Sequence, residues 1–158
     1  MTPVPPLQIH ATCVARDGAG VVLRGASGAG KSDLAFRLLG LGLRLVADDR
    51  VDLRRDGDRL VASPPPGLRG LIELRGIGIV PVADWLAEAR VALAVDLVPR
   101  AAVERLPEPA SIVHLGVAVP LLALDPFDAS TPAKIAFVLG APGLLRAAAA
   151  PAARKPAA

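Results

Sequence analysis

The chain is poor in residues on which several large function classes depend. Its 158 residues include one cysteine, no tyrosine, one tryptophan, three phenylalanines and three lysines. A single Cys13 excludes an internal disulfide framework and suits a reducing cytoplasm. Set in an apolar strand pattern, it reads as a small hydrophobe and not as a nucleophile. The formal net charge is +3, but it comes from scattered arginines with no basic run and few aromatics between them, so no nucleic-acid footprint is present. No apolar run reaches the roughly 18 residues a membrane span needs. No basic segment precedes an apolar one at the N-terminus, as a secretory leader would require. These absences leave a soluble cytoplasmic chain without visible repeats, long enough to bury one ordinary core.

What is present is a complete G-x-x-x-x-G-K-[ST] phosphate-binding loop, Gly25-Ala26-Ser27-Gly28-Ala29-Gly30-Lys31-Ser32. It lies between an apolar strand pattern, Gly20 to Arg24, and the helical spacing of Asp33 to Leu39. Glycines at 25, 28 and 30 are expected to let the backbone turn with φ above zero and aim successive N–H groups at one point. The helix start adds partial positive charge. Lys31 is placed to reach the β- and γ-phosphates, and Ser32 to offer its hydroxyl to Mg²⁺. With only three lysines against fifteen arginines, a lysine at this position by chance is improbable.

The remaining elements are read in order. Residues 1–6 form a proline-rich lead-in; 7–15 alternate as one strand; 16–20 turn into the strand that feeds the loop. A strand over 43–47 ends in Asp48-Asp49. Strands at 50–54 and 59–62 flank Asp56-Gly57, a dipeptide that tight hairpins favour. Another strand, 71–74, runs into Arg75-Gly-Ile-Gly78, where two glycines would let a backbone pass close to something. A helix is expected over 82–88, a doubly buried strand over 91–98, a loop over 99–111 and strands over 111–115 and 117–124. Thr131-Pro132 suggests an N-cap followed by proline at the first helical position. That last helix runs to about Leu139 and resumes near Leu144. From Ala147 the chain contains only Ala, Pro, Arg and Lys, the composition of a disordered tail. The pattern implies an α/β fold, a P-loop kinase-type mixed sheet with packed helices in a single domain over 7–146, the loop at the carboxyl ends of its strands.

Two acidic groups could complete the site. Asp48 and Asp49 end a strand where a metal-binding aspartate is expected if neighbouring parallel strands finish level. Alternation prevents both from facing one ligand alike, so one could serve the metal and the other act as base toward an acceptor hydroxyl; a turn cap is the competing reading. Glu73 and Arg75 share a face at period two, giving a carboxylate for Mg²⁺ beside a guanidinium for phosphate oxygens, or else an ordinary ion pair. His10 and His114, on apolar strands, read as structural.

Taken together, Ile9-His10-Ala11, the loop, Leu45-Val-Ala-Asp-Asp49 and Leu71-Ile-Glu-Leu-Arg-Gly-Ile-Gly-Ile79 resemble the catalytic domain of HPr kinase/phosphorylase over about residues 7–140. The resemblance implies transfer of a phosphoryl group from ATP to a serine of the phosphocarrier HPr. Lys31 would then bind phosphates, Ser32 and Glu73 would hold Mg²⁺, and Asp49 would be the base. His10 becomes an active-site residue on this ground alone. Arg75 to Ile79 fall in a segment that the family uses for transfer in both directions. Typical members carry a further N-terminal domain, an arginine-rich loop resembling R-P-G-R-N and a C-terminal helical segment. Here Leu124 to Lys134 stands in place of the second, with Lys134 as a replacement cation, and the Ala/Pro tail in place of the third. The expectation is a short form in which the kinase direction is better supported than phosphorolysis; the resemblance also admits a homo-oligomer. Two other readings stay open: an ATP-dependent sensor or binding module, and a P-loop kinase of small molecules.

Overall fold

The computed structural model describes residues 5–141 and 143–145; most of the expected lead-in and the whole tail from Ala147 lie outside them. Alternation builds the sheet. In β3 (Ala19–Arg24) Val21 and Leu23 face one core while Val22 faces another, and Leu93, Ala94 and Val95 of β9 (Ala89–Leu97) divide the same way. A sheet covered on both faces needs apolar side chains on both. β3 and β9 run parallel, as do β9 and β11 (Val117–Leu124). On the other side of β3 lies β2 (Ala11–Arg16), antiparallel, and beyond it β4 (Arg44–Ala47). The first core also packs Val51 and Leu53 of β5 (Val51–Asp56), Leu60 and Ala62 of β6 (Arg59–Ser63) and Ile112 of β10 (Ala110–His114). The second lies beneath α1 (Lys31–Leu39), α2 (Thr131–Leu139) and the separate hairpin of β7 (Leu71–Leu74) and β8 (Gly78–Pro81). Among the described residues the fold is thus mixed α/β, with a nine-stranded sheet and two α-helices. Among the described residues no helix is long and apolar enough to cross a membrane.

Several local expectations are corrected. The strand over 7–15 is broken at His10, because β1 (Leu7–Ile9) pairs with β5 whereas β2 pairs with β3 and β4. Asp56 pairs with Arg59, so the tight turn consists of Gly57-Asp58, one residue later than expected. No helix forms over 82–88: Val82 N–H donates to Gly70 O at 2.6 Å and Leu86 N–H to Leu45 O at 2.7 Å. Those long-range bonds hold the segment as an irregular, bent link and place Trp85 against Gly70. Gly76 and Gly78 have φ of +89 and +121 with nothing within 4 Å of a built Cβ, so they serve the turn and no backbone passes close. Ser130, not Thr131, is the N-cap of α2, and Thr131 instead donates its hydroxyl to Asp125 O at 2.5 Å.

Candidate functional site

The phosphate loop leaves the carboxyl end of β3 and enters α1 at Lys31, with Gly30 as N-cap. Gly28 and Gly30 have φ of +84 and +102, a conformation L residues rarely take. Gly25 does not share it; a Cβ there would lie 2.9 Å from the Ala29 methyl, so its requirement is space. Lys31 reaches back over the loop, donating to Gly25 O at 2.8 Å and Ala26 O at 3.1 Å, and is 6% exposed.

Asp48 organises the neighbouring side. β2 separates β4 from β3, so the two are not neighbours as expected; both run antiparallel to β2 and hence finish at the same end. The buried Asp48 accepts the Ser32 hydroxyl at 2.6 Å and the Thr12 hydroxyl at 3.0 Å on Oδ1, and the Glu73 N–H at 2.9 Å on Oδ2. One carboxylate therefore ties the loop, β2 and β7 together, which is expected of a buried charge that must be hydrogen-bonded. Thr12, itself fully buried, accepts the Asp49 N–H at 3.1 Å. Sequence reasoning missed it; the signal was a hydroxyl inside an otherwise apolar strand.

Asp49 turns away from Asp48. Its φ is +68, an unusual value that a short polar side chain tolerates, and its backbone oxygen accepts the Ala11 N–H at 3.1 Å. The Asp49 carboxylate lies 2.7 Å from His10 Nε2, with both side chains about half exposed. A cleft of about 580 Å³ is lined by Lys31, Ser32, Asp49, Glu73 and Arg75 together with Phe36, Ile77 and Phe127. His10 does not line it and meets it through Asp49. Lys134 is not brought to the cleft. It stands exposed in the first turn of α2, near Asp128, whose carboxyl is held below its usual range by the Ser130 N–H and hydroxyl, with Lys134 and Arg100 adding smaller effects. Cys13 is fully buried, which pushes its thiol up to about 12 and excludes it as a nucleophile.

The arrangement offers backbone and lysine donors for an anion, a serine hydroxyl and carboxylates facing the same space, and an exposed carboxylate beside an imidazole. Among the described residues no three His, Cys, Asp or Glu side chains gather as a self-sufficient metal site.

Residues 4–123 match the model of the HPr serine kinase C-terminal domain. The HPr kinase/phosphorylase of Exiguobacterium sp. is 48% identical over 79 residues, 49% of this chain and 25% of that protein. That of Caldanaerobacter subterraneus is 44% identical over 97 residues, 60% and 32% respectively. That of Lactobacillus acidophilus is 42% identical over 108 residues, 62% and 34%. The chain spans about a quarter to a third of the length of these relatives. The structure of the Hpr(Ser) kinase/phosphatase from Coxiella burnetii superposes with a TM-score of 0.76 at 26% identity, over 89% of this chain and 92% of that one.

Proposed function

Because the chain belongs to the HPr serine kinase C-terminal domain family, we propose that it transfers a phosphoryl group from ATP to a serine hydroxyl of an HPr-like phosphocarrier. The observation that carries this reading is the shared cleft: Asp49, paired with His10, opens onto the same space as Lys31 and Ser32 of the phosphate loop. Phosphoryl transfer asks for positioning and charge neutralisation more than for covalent help, and these side chains supply both.

In this mechanism Lys31 exchanges the carbonyls of Gly25 and Ala26 for phosphate oxygens, and the N–H groups of the loop hold the rest of the triphosphate. Ser32 and Glu73 hold Mg²⁺, with Asp48 orienting the Ser32 hydroxyl. Mg²⁺ held by these residues would supply charge neutralisation for the phosphates. Asp49 accepts the proton of the acceptor serine as that oxygen bonds to the γ-phosphorus and the bridging bond to ADP breaks. His10 keeps the Asp49 carboxylate oriented. Arg75, at the hairpin tip beside Glu73, offers its guanidinium to the phosphoryl oxygens. Lys134 does not line the cleft and is given no part.

The test is phosphosite mapping of HPr after incubation with the chain, ATP and Mg²⁺. Phosphoserine is expected, and Asp49→Asn is expected to lower transfer about a thousandfold while nucleotide affinity stays within about twofold. Transfer by Asp49→Asn at the parent rate would remove the base assignment. ATP-strengthened HPr binding without product would make the chain a sensor module. Phosphorylation of a small alcohol but not of HPr would make it a small-molecule kinase.

A further inference from the structure

The phosphate loop has unlike neighbours on its two sides. β3 is followed in the sheet by β2 and β4 in one direction and by β9 and β11 in the other. The end of β4 delivers Asp48 and Asp49. The end of β11 delivers the turn Asp125 to Ser130, which enters α2 and contributes Phe127 to the same cleft. A nucleoside triphosphate has two unlike ends as well, and under the reading above its terminal phosphate must meet Asp49. The other end then points to the β11 side.

Phe127 is built as a platform there. A Cβ at Gly30 would stand 3.1 Å from its Cζ and 3.2 Å from its Cε1, so the ring edge rests on the phosphate loop, yet the side chain is 69% exposed. The turn beneath it is fastened throughout. Phe127 N–H donates to Asp125 Oδ1 at 2.9 Å, Ser130 N–H and hydroxyl donate to Asp128 Oδ1 at 3.2 Å each, and Arg37 donates to Pro126 O. A fixed aromatic face left open to solvent at the mouth of an anion site matches one chemistry, a flat heterocycle tethered to phosphates.

We propose that Phe127 is the stacking platform for the nucleotide base, and that it sets the direction of the triphosphate: base toward β11, terminal phosphate toward β4. This rests on the nucleotide-dependent reading given above. A consequence concerns base choice. Telling adenine from guanine requires donors and acceptors aimed at the base edge; Asn and Gln read adenine and Arg or Lys read guanine, and Arg37, which donates to this turn, is bonded to Asp33 and to Pro126 O. The chain has no asparagine, and its one glutamine, Gln8, bonds to Asp52 on β5. The polar side chains of the turn bond within it. Stacking alone accepts any base, so ATP and GTP are held alike.

Calorimetric titration of the full chain with ATP, GTP and inorganic tripolyphosphate, each with Mg²⁺, tests this. ATP and GTP are expected to bind within about threefold of each other. Phe127→Ala is expected to weaken both about tenfold and leave tripolyphosphate unchanged, whereas Phe127→Tyr retains the parent values. The proposal is overturned if Phe127→Ala binds ATP as the parent does, if tripolyphosphate weakens in parallel, which would mean the ring only braces the loop, or if the parent discriminates strongly between ATP and GTP. A parent chain that binds none of the three removes the nucleotide reading itself; one that binds all three but is indifferent to Phe127→Ala removes this inference alone.

Discussion

The phosphate loop grows out of β3, a strand with hydrogen-bonded neighbours on both sides, whereas the β7–β8 hairpin across the same cleft is a two-stranded sheet of its own. Behind the loop Lys31 is buried; on the hairpin Ile77 and Ile79 are 73% and 70% exposed. A hairpin standing alone is marginal in water. This one is positioned by Ile72, which enters the second core, and by the Glu73 N–H on Asp48. The difference shows how the candidate site divides its tasks. Anion-holding groups are fixed by the sheet interior, while Glu73 and Arg75 ride on a two-stranded sheet with an exposed tip, the kind of element that opens locally at lower cost.

The largest effect should follow from cutting the link between the walls. Asp48→Ala removes the acceptor of three hydrogen bonds and is expected to cost about 2–4 kcal/mol in urea denaturation. Amide exchange at Ile72 to Leu74 should accelerate more than at Val21 to Leu23; equal protection of the two would break the contrast. The same glycine substitution on each wall sharpens it. Gly30→Ala meets a φ of +102 and the Phe127 ring and should cost about 2–3 kcal/mol, whereas Gly76→Ala meets a φ of +89 in open space and should cost about 1 kcal/mol. Equal losses in thermal melts would mean that the loop is no more tightly built than the hairpin.

The smallest effect belongs to neither wall. His114, on β10, has its Nε2 buried with no partner among the described residues, and burial together with the Arg24 guanidinium holds the imidazole below its usual 6.5. The unfolded chain therefore protonates there first. The contribution of the neutral ring to stability is complete above about pH 6.5 and is lost as the pH falls through the lower folded value. His114→Phe should flatten the decline in stability between about pH 7.5 and 5.5 relative to the parent. An unchanged slope would show that the ring titrates as freely folded as unfolded.

How much of this was legible depends on the range of the forces involved. The loop could be read because each requirement is local: two glycines at positive φ, one with no room for a methyl, and a helix beginning at the lysine. The hairpin of β7 and β8 was half legible. Its first strand was seen, but its glycines were expected to admit a passing backbone and instead turn the chain. The helix expected over 82–88 failed because Val82 and Leu86 bond to Gly70 and Leu45, partners remote in sequence from which propensity takes no information. Lys134, a cation by composition, is exposed on α2 and does not line the cleft, a placement set by how α2 packs and not by its own sequence neighbourhood.

The order of residues alone determined the anion nest, the alternation that makes a sheet apolar on both faces, and the adjacency of two aspartates at a strand end. Only the tertiary structure decided that β2 lies between β3 and β4, that Thr12 joins Asp48 to Asp49, that the two aspartates face different partners, and that Phe127 closes the far side of the loop. The reason is physical. Torsional preferences and side-chain period act over a few residues and are written along the chain, whereas a buried carboxylate takes whichever donors the packed sheet brings within about 3 Å, and those come from the phosphate loop, β2 and β7.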